Sequence, residues 1–220
     1  MKKSIRHAML AVGIIAGSLS AGAHAAFPAD KPVTMVVPFA AGGPTDKVAR
    51  EIALAMGKTL KQQVIIDNSP GAGGTIAAKK VMNAPKDGYT VLIHHIGMST
   101  APGLYKNLGY DPMTDFEHLG MVADVPMVMV ANKDLPAKNL TELLAYIKAN
   151  GAKVNYANAG IGSASHLCGL LFMSAIQQDM TTVPYKGTAP ALTDLMGGQV
   201  QLMCDQTTNL AGQLKAGSVK

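Results

Sequence analysis

The chain keeps repeating one phrase: a short apolar run, a glycine-containing turn, then a stretch with helical periodicity. Val33-Thr34-Met35-Val36-Val37 is apolar with little alternation, the pattern of a strand covered on both faces. After Gly42-Gly43, the residues Val48, Ile52, Met56 and Leu60 recur every fourth position with Ala49 and Ala53 beside them, which predicts an amphipathic helix packed on a sheet. Val64-Ile65-Ile66 reads as the next strand, Asn68 to Gly74 as a loop, Thr75 to Met82 as a helix and Tyr89 to Ile93 as a third strand. The stretch from Pro102 to Phe116 is rich in turn residues. Two adjacent strand-like runs follow, Leu119 to Ala123 and Met127 to Ala131, and the crossing into a second lobe is placed there.

The phrase then returns. A helix from Leu140 to Ala149 precedes a strand from Val154 to Ala157, and Asn158-Ala159-Gly160-Ile161-Gly162 feeds a helix from Ser163 to Gln177. Thr182 to Tyr185 leads through Lys186-Gly187 to a short helix near Pro190 to Met196. Val200 to Cys204 is one more strand, and a helix begins near Thr208. Strands alternating with helices imply an α/β protein with parallel sheets and helices on both faces. In such folds the strand–turn–helix units open on one edge, where ligands sit.

The N-terminus carries a different message. Lys2, Lys3 and Arg6 form a basic start, Ala8 to Gly22 is apolar and small, and Ala23-His24-Ala25 is an A-x-A cleavage site. Residues 1–25 are therefore read as a signal peptide, with export to the periplasm and cleavage near Ala25. This also changes the charge: of 19 basic residues three lie in the leader, leaving 16 against 14 acidic, a net of +2. No stripe of Lys and Arg with interleaved aromatics remains, so nucleic-acid binding has little support. The only cysteines are Cys168 and Cys204; in an oxidising compartment they could pair, or serve as two small buried hydrophobes.

The glycine turns invite an anion. Helix starts carry unpaired N–H groups and a partial positive charge of about half a unit, and Gly42-Gly43, Gly160-x-Gly162 and Gly187 let a ligand approach the backbone. The Walker spacing fails, because Gly43 is followed by Pro44-Thr45-Asp46-Lys47, and Gly71 to Ile76 lacks the third glycine of a dinucleotide fingerprint. Only Lys186 is cationic in these turns, so the expected ligand is a small carboxylate held by backbone donors and hydroxyls. Asp46, in the first turn of its helix, either complements the dipole or faces the cleft. Ser163, Ser165 and His166 form the most enzyme-like cluster; capping and ligand binding compete there with a serine hydrolase, for which no orienting acid is evident. His94 and His95 are adjacent, point to opposite faces of a strand and cannot chelate one metal together. No metal or cofactor is expected.

Taken in order, "PFAAGGPTD" (Pro38–Asp46), "NSPGAGG", "DGYTVLI", "VNYANAG", "GSASHL", "VPYKGTAPALTDLMGGQV" and "CDQ" resemble the Bug receptors, the extracytoplasmic solute receptors of tripartite tricarboxylate transporters, over nearly the whole exported length. The resemblance implies a type II periplasmic-binding-protein fold: two lobes with parallel-rich sheets, lobe one over residues 26–124 and lobe two over 125–220. It implies a monomer that closes on a small organic ligand and partners a membrane transporter, without being an enzyme. Its ligand-binding positions carry over onto Phe39, Gly43, Thr45 and Asp46; onto His95, Gly97 and Ser99; onto Gly160, Ser163, Ser165 and His166; and onto Tyr185, Lys186, Gly187 and Asp205. It also favours a disulfide between Cys168 and Cys204. Family members continue past Lys220 with a strand returning to lobe one, so the C-terminal part of the fold is expected to be missing here and the hinge incomplete. A hydrolase using Ser163 or Ser165 with His166, and a ligand-sensing subunit for a signalling partner, stand as the alternatives.

Overall fold

The structure, a computed structural model, describes residues 27–220; the leader and its cleavage site lie outside them. Val33–Val37 forms β1, apolar because both its faces are covered: Val33, Val36 and Val37 are fully buried. It lies between Val64–Asn68 (β2) and Thr90–Leu92 (β3), parallel to both, in a sheet of order β2-β1-β3. The helix Pro44–Leu60 (α1) covers one face. Ala49 and Ala53 sit deepest, so the helix comes close to the sheet, while Ile52 and Met56 flank them half-buried near Met35 and Val37. Thr75–Met82 (α2) and Gly97–Leu104 (α3) cover the other face through Ala78, Met98 and Ala101. Along β3 and just beyond, Val91 and Ile93 join the first cluster and Leu92 the second, the two-residue period of a strand buried on both sides.

Two expectations fail in this lobe. Gly97–Leu104 is helical where turn signals were read from Pro102 onward; burial of Met98 and Ala101 holds the helix although Pro102 lies within it. Leu119 to Ala123, expected as a strand, pairs with nothing among the described residues, and Leu119 and Met121 are 85% and 87% exposed. An alternating run becomes a strand only when a neighbour offers a ladder, and β3 and Met127–Ala131 (β4) both turn elsewhere for partners.

The second sheet has the order β4-β7-β5-β6, with Asn155–Asn158 (β5), Thr181–Pro184 (β6) and Leu202–Gln206 (β7). β5 runs parallel to both β6 and β7, whereas β4 is antiparallel to β7, Met127 facing Gln206. Leu140–Asn150 (α4) and Ala164–Ile176 (α5) pack on one face with Tyr156, Leu202 and Cys204. Thr188–Met196 (α6) and Thr207–Lys215 (α7) pack on the other with Ala157 and Met203. Helix α5 lies against β5 so closely that a Cβ on Gly169 would meet the Tyr156 ring at 2.2 Å. A disulfide from Cys168 to Cys204 pins the same helix to β7. Among the described residues, no helix is long and apolar enough to cross a membrane.

Candidate functional site

The parallel strands deliver their C-terminal ends to one edge of each sheet, and the two edges face each other. A narrow cavity lies between them, with room at its centre for about one or two waters; most of its empty volume of about 300 Å³ is open mouth. Lobe one contributes Phe39, Pro44 and Thr45 from the turn after β1 and His95 from the turn after β3. Lobe two contributes Ala159, Ser163, Ala164 and Ser165 after β5, Thr188 at the start of α6, Asp205 and Gln206 at the end of β7, and Met127. Four helices thus begin at the cavity wall: α1, α5, α6 and α7. Only α5 spends a side chain on its own cap; the starts of α1, α6 and α7 carry no side-chain cap hydrogen bond. At α7 the Thr207 N–H already donates to the Pro126 carbonyl at 3.1 Å, and Pro44 and Pro190 bring no N–H; the remaining first-turn N–H groups, with about half a positive charge at each helix start, favour an anion. The buried Thr188 hydroxyl lies beside the Asp205 carboxylate, whose pKa it helps to lower, without completing a hydrogen bond to it. Among the described residues, no lysine or arginine lines the cavity.

The serine–histidine cluster is wired for capping. Ser163 Oγ accepts the His166 backbone N–H at 3.2 Å, Ser165 Oγ accepts that of Ala159 at 2.8 Å, and the two hydroxyls are 3.1 Å apart. The His166 ring accepts the Gly162 N–H on Nδ1, and burial lowers its pKa. Its imidazole bonds to neither serine, so the geometry holds a turn and presents hydroxyls; it does not pair a nucleophile with a base.

Asp46 is buried and turned away from the cavity. Its oxygens accept from the Gly42 N–H (2.9 Å), the Asn68 amide (3.0 Å) and the Arg50 guanidinium (2.9 and 3.0 Å). Burial alone would raise its pKa, but Arg50, Gly42 and Asn68 together hold it below the ordinary range. It braces the glycine turn in front of α1. Asp205 does line the cavity; burial pushes its carboxyl up, against the pull of the Asn209 amide (2.6 Å) and the Gln206 N–H (2.8 Å).

Other expected positions serve the contact between the lobes. Lys186 is exposed, and its carbonyl accepts the Ala40 N–H at 3.0 Å, while a Cβ on Gly187 would come within 3.0 Å of Ala40 N. The Tyr185 hydroxyl donates to Asp194 at 2.7 Å, and burial with that acceptor pushes its pKa up to about 12. Tyr105 Oη donates to the Ile161 carbonyl at 2.7 Å, and Lys47 Nζ to Asn209 Oδ1 at 2.8 Å. Backbone meets backbone at Gly73, where a Cβ would sit 1.9 Å from the Ile161 oxygen. Beyond this contact lies a second, open groove bordered by Pro70, Ile76, Tyr105, Gly160, Tyr185 and Lys186.

Of the expected residues, the structure therefore brings Phe39, Thr45, His95, Ser163, Ser165 and Asp205 together around the cavity. Gly43, Asp46, Gly97, Ser99, His166 and Gly187 do not line it, and Gly160, Tyr185 and Lys186 border the other groove. Pro44, Met127, Ala159, Ala164, Thr188 and Gln206 were missed. Thr188 was findable as the first residue of a helix that follows a strand end, and Gln206 as the last residue of a strand that runs straight into a helix. Met127 was not, because it reaches this edge only through the antiparallel direction of β4.

Two α/β lobes in contact, with a cavity between their strand ends, have the architecture of the periplasmic binding proteins. The chain belongs to the tripartite tricarboxylate transporter family receptors, whose family model matches residues 48–220. A protein of the TAR-I ttuE-ttuC' intergenic region of Agrobacterium vitis is 50% identical over 86% of this chain and 54% of its own length. The solved periplasmic binding protein BugD is 55% identical with a TM-score of 0.85, over 87% of this chain and 64% of that one. MatC from Rhodopseudomonas palustris, solved with bound malate, is 44% identical with a TM-score of 0.84, over 88% and 66%. The chain thus spans just over half to about two thirds of the length of these relatives.

Proposed function

We propose that this chain is the ligand-capturing part of a periplasmic receptor that traps a small carboxylate between two lobes and hands it to a tripartite tricarboxylate-type transporter. The observation that carries this reading is the convergence of four helix N-termini from both lobes, three of them without a side-chain cap, on one cavity that no lysine or arginine among the described residues lines. Such a wall holds an anion by oriented N–H groups, at no cost of reorganising long cationic side chains. The bound malate of MatC, a protein of the same fold at 44% identity, supports the substrate class. The contacts across the cleft fit capture by closure, in which ligand bonds to both lobes favour the closed state. The solute is held without being transformed, since the His166 ring is engaged by Gly162 and not by a serine hydroxyl.

A thermal-shift panel tests this reading: malate, other dicarboxylates, their diamides, and a diamine of matching length. A ligand bound only by the folded state raises the melting temperature. Stabilisation by acids alone is expected; stabilisation by the diamine in their place, or by none of the panel, would refute it.

A further inference from the structure

His95 differs in kind from the other cavity residues. It leaves β3 at the sheet edge, and its ring stacks on Phe39 with centroids 4.7 Å apart and planes 16° from parallel. The ring's Nδ1 accepts the backbone N–H of Gly97 at 2.9 Å. A nitrogen that accepts cannot also carry the proton, so the neutral ring bears its hydrogen on Nε2. Nε2 has no hydrogen-bond partner among the described residues, and the side chain lines the cavity. Stacking fixes the plane of the ring and the Gly97 bond fixes its rotation.

We propose that His95 is a specificity-determining donor: an uncharged imidazole locked with its proton on Nε2, offering one N–H to an oxygen of the bound solute. The inference rests on the carboxylate reading above and narrows it. Helix ends supply diffuse positive potential, which any anion satisfies; a fixed N–H selects a solute with an acceptor oxygen at that point of its skeleton. An ammonium or amide N–H placed there would meet donor against donor.

The titratable groups facing the ring are His94 beside it and Asp205 on the opposite wall. Burial, then the neighbouring His94, pushes His95 down to about 3, and burial lowers His94 as well. The donor therefore stays neutral across the range in which a free histidine titrates.

The test combines ring NMR with calorimetry. Long-range 15N–1H spectra at pH 6 should show His95 neutral with its proton on Nε2, and that resonance should move when the tightest-binding dicarboxylate of the panel is added. His95→Gln, which keeps a side-chain N–H, should hold affinity within a few fold, while His95→Leu should lose tenfold or more. The pH dependence of affinity from pH 8 to pH 5, set by the acid itself and by Asp205, should be the same in the unaltered chain and in His95→Gln. A ring charged at pH 6 or protonated on Nδ1, a climb in affinity below pH 6.5 that His95→Gln abolishes, or unchanged affinity in His95→Leu would each overturn the inference while leaving the carboxylate reading intact. Failure of every acid to bind would overturn both.

Discussion

Replacing Gly73 by alanine should prop the two lobes apart. The glycine sits in lobe one with φ +61°, and its Cα faces the Ile161 carbonyl of lobe two. A Cβ there would lie 1.9 Å from that oxygen, and ordinary contact begins near 3.4 Å, so the facing backbone must retreat by about 1.5 Å. No flexible side chain can absorb this, because the obstructing atom is main chain. The retreat breaks the bonds that span the cleft: Tyr105 to Ile161, Ala40 to Lys186, and Lys47 to Asn209. At about 1 kcal/mol for each such bond, closure weakens by about 3 kcal/mol, on the order of a hundredfold in dissociation constant. The left-handed backbone adds a further cost of about 1 kcal/mol to folding itself. Gly103→Ala is the control, since nothing lies within 4 Å of its Cβ position. Calorimetry with the tightest dicarboxylate of the panel measures the loss, and small-angle scattering with and without that acid measures closure. A Gly73→Ala protein that binds and compacts like the unaltered chain would refute the reasoning.

Three further outcomes follow from particular bonds. Opening the Cys168–Cys204 disulfide, whose cysteines are 36 residues apart, should cost about 4 kcal/mol on the chain-entropy estimate and lower the melting temperature by about 10 °C; an unchanged melting temperature in Cys168→Ser/Cys204→Ser would count against it. Asp46→Ala should lower stability by about 2–4 kcal/mol, by leaving Gly42 and Asn68 without their acceptor, and weaken ligand binding through the displaced turn. Affinity lost with chemical-denaturation stability intact would instead mean that Asp46 touches the solute. His94, His95 and His166 all have lowered pKa values in the folded state. Their contribution is full above the unfolded value of about 6.5 and is lost as pH falls below it, by up to about 1.4 kcal/mol per unit for each. The raised carboxyl of Asp205 works in the opposite sense, its contribution being lost as pH rises through its folded pKa. Denaturant midpoints should therefore drop from pH 7 to pH 5, and a flat profile would contradict the burial of these rings.

What the sequence revealed follows a physical division. Val33 to Val37, the glycine turn and the helix after it were legible because apolar runs, Gly-Pro punctuation and a four-residue repeat are local signals. Ser163 was legible as a cap for the same reason. Leu119 to Ala123 misled because alternation records a readiness to pair, while pairing depends on a distant strand. Asp46 left two readings open because only the fold brings Asn68 beside it. Met127 reaches the cavity through the direction of β4, and the contact of Gly73 with Ile161 through the docking of two lobes; neither leaves a mark in nearby residues. Thr188, first in its helix, and Gln206, last in its strand, do carry a local signal, because each stands where a strand gives way to a helix.

The most direct test is a crystal structure of the chain with the tightest dicarboxylate of the panel. The carboxylate oxygens should lie within about 3 Å of backbone N–H groups at the starts of at least two helices drawn from both lobes, with no lysine or arginine side chain touching them. An acid lodged instead against Lys186 in the outer groove, or held by one lobe alone, would contradict the central claim.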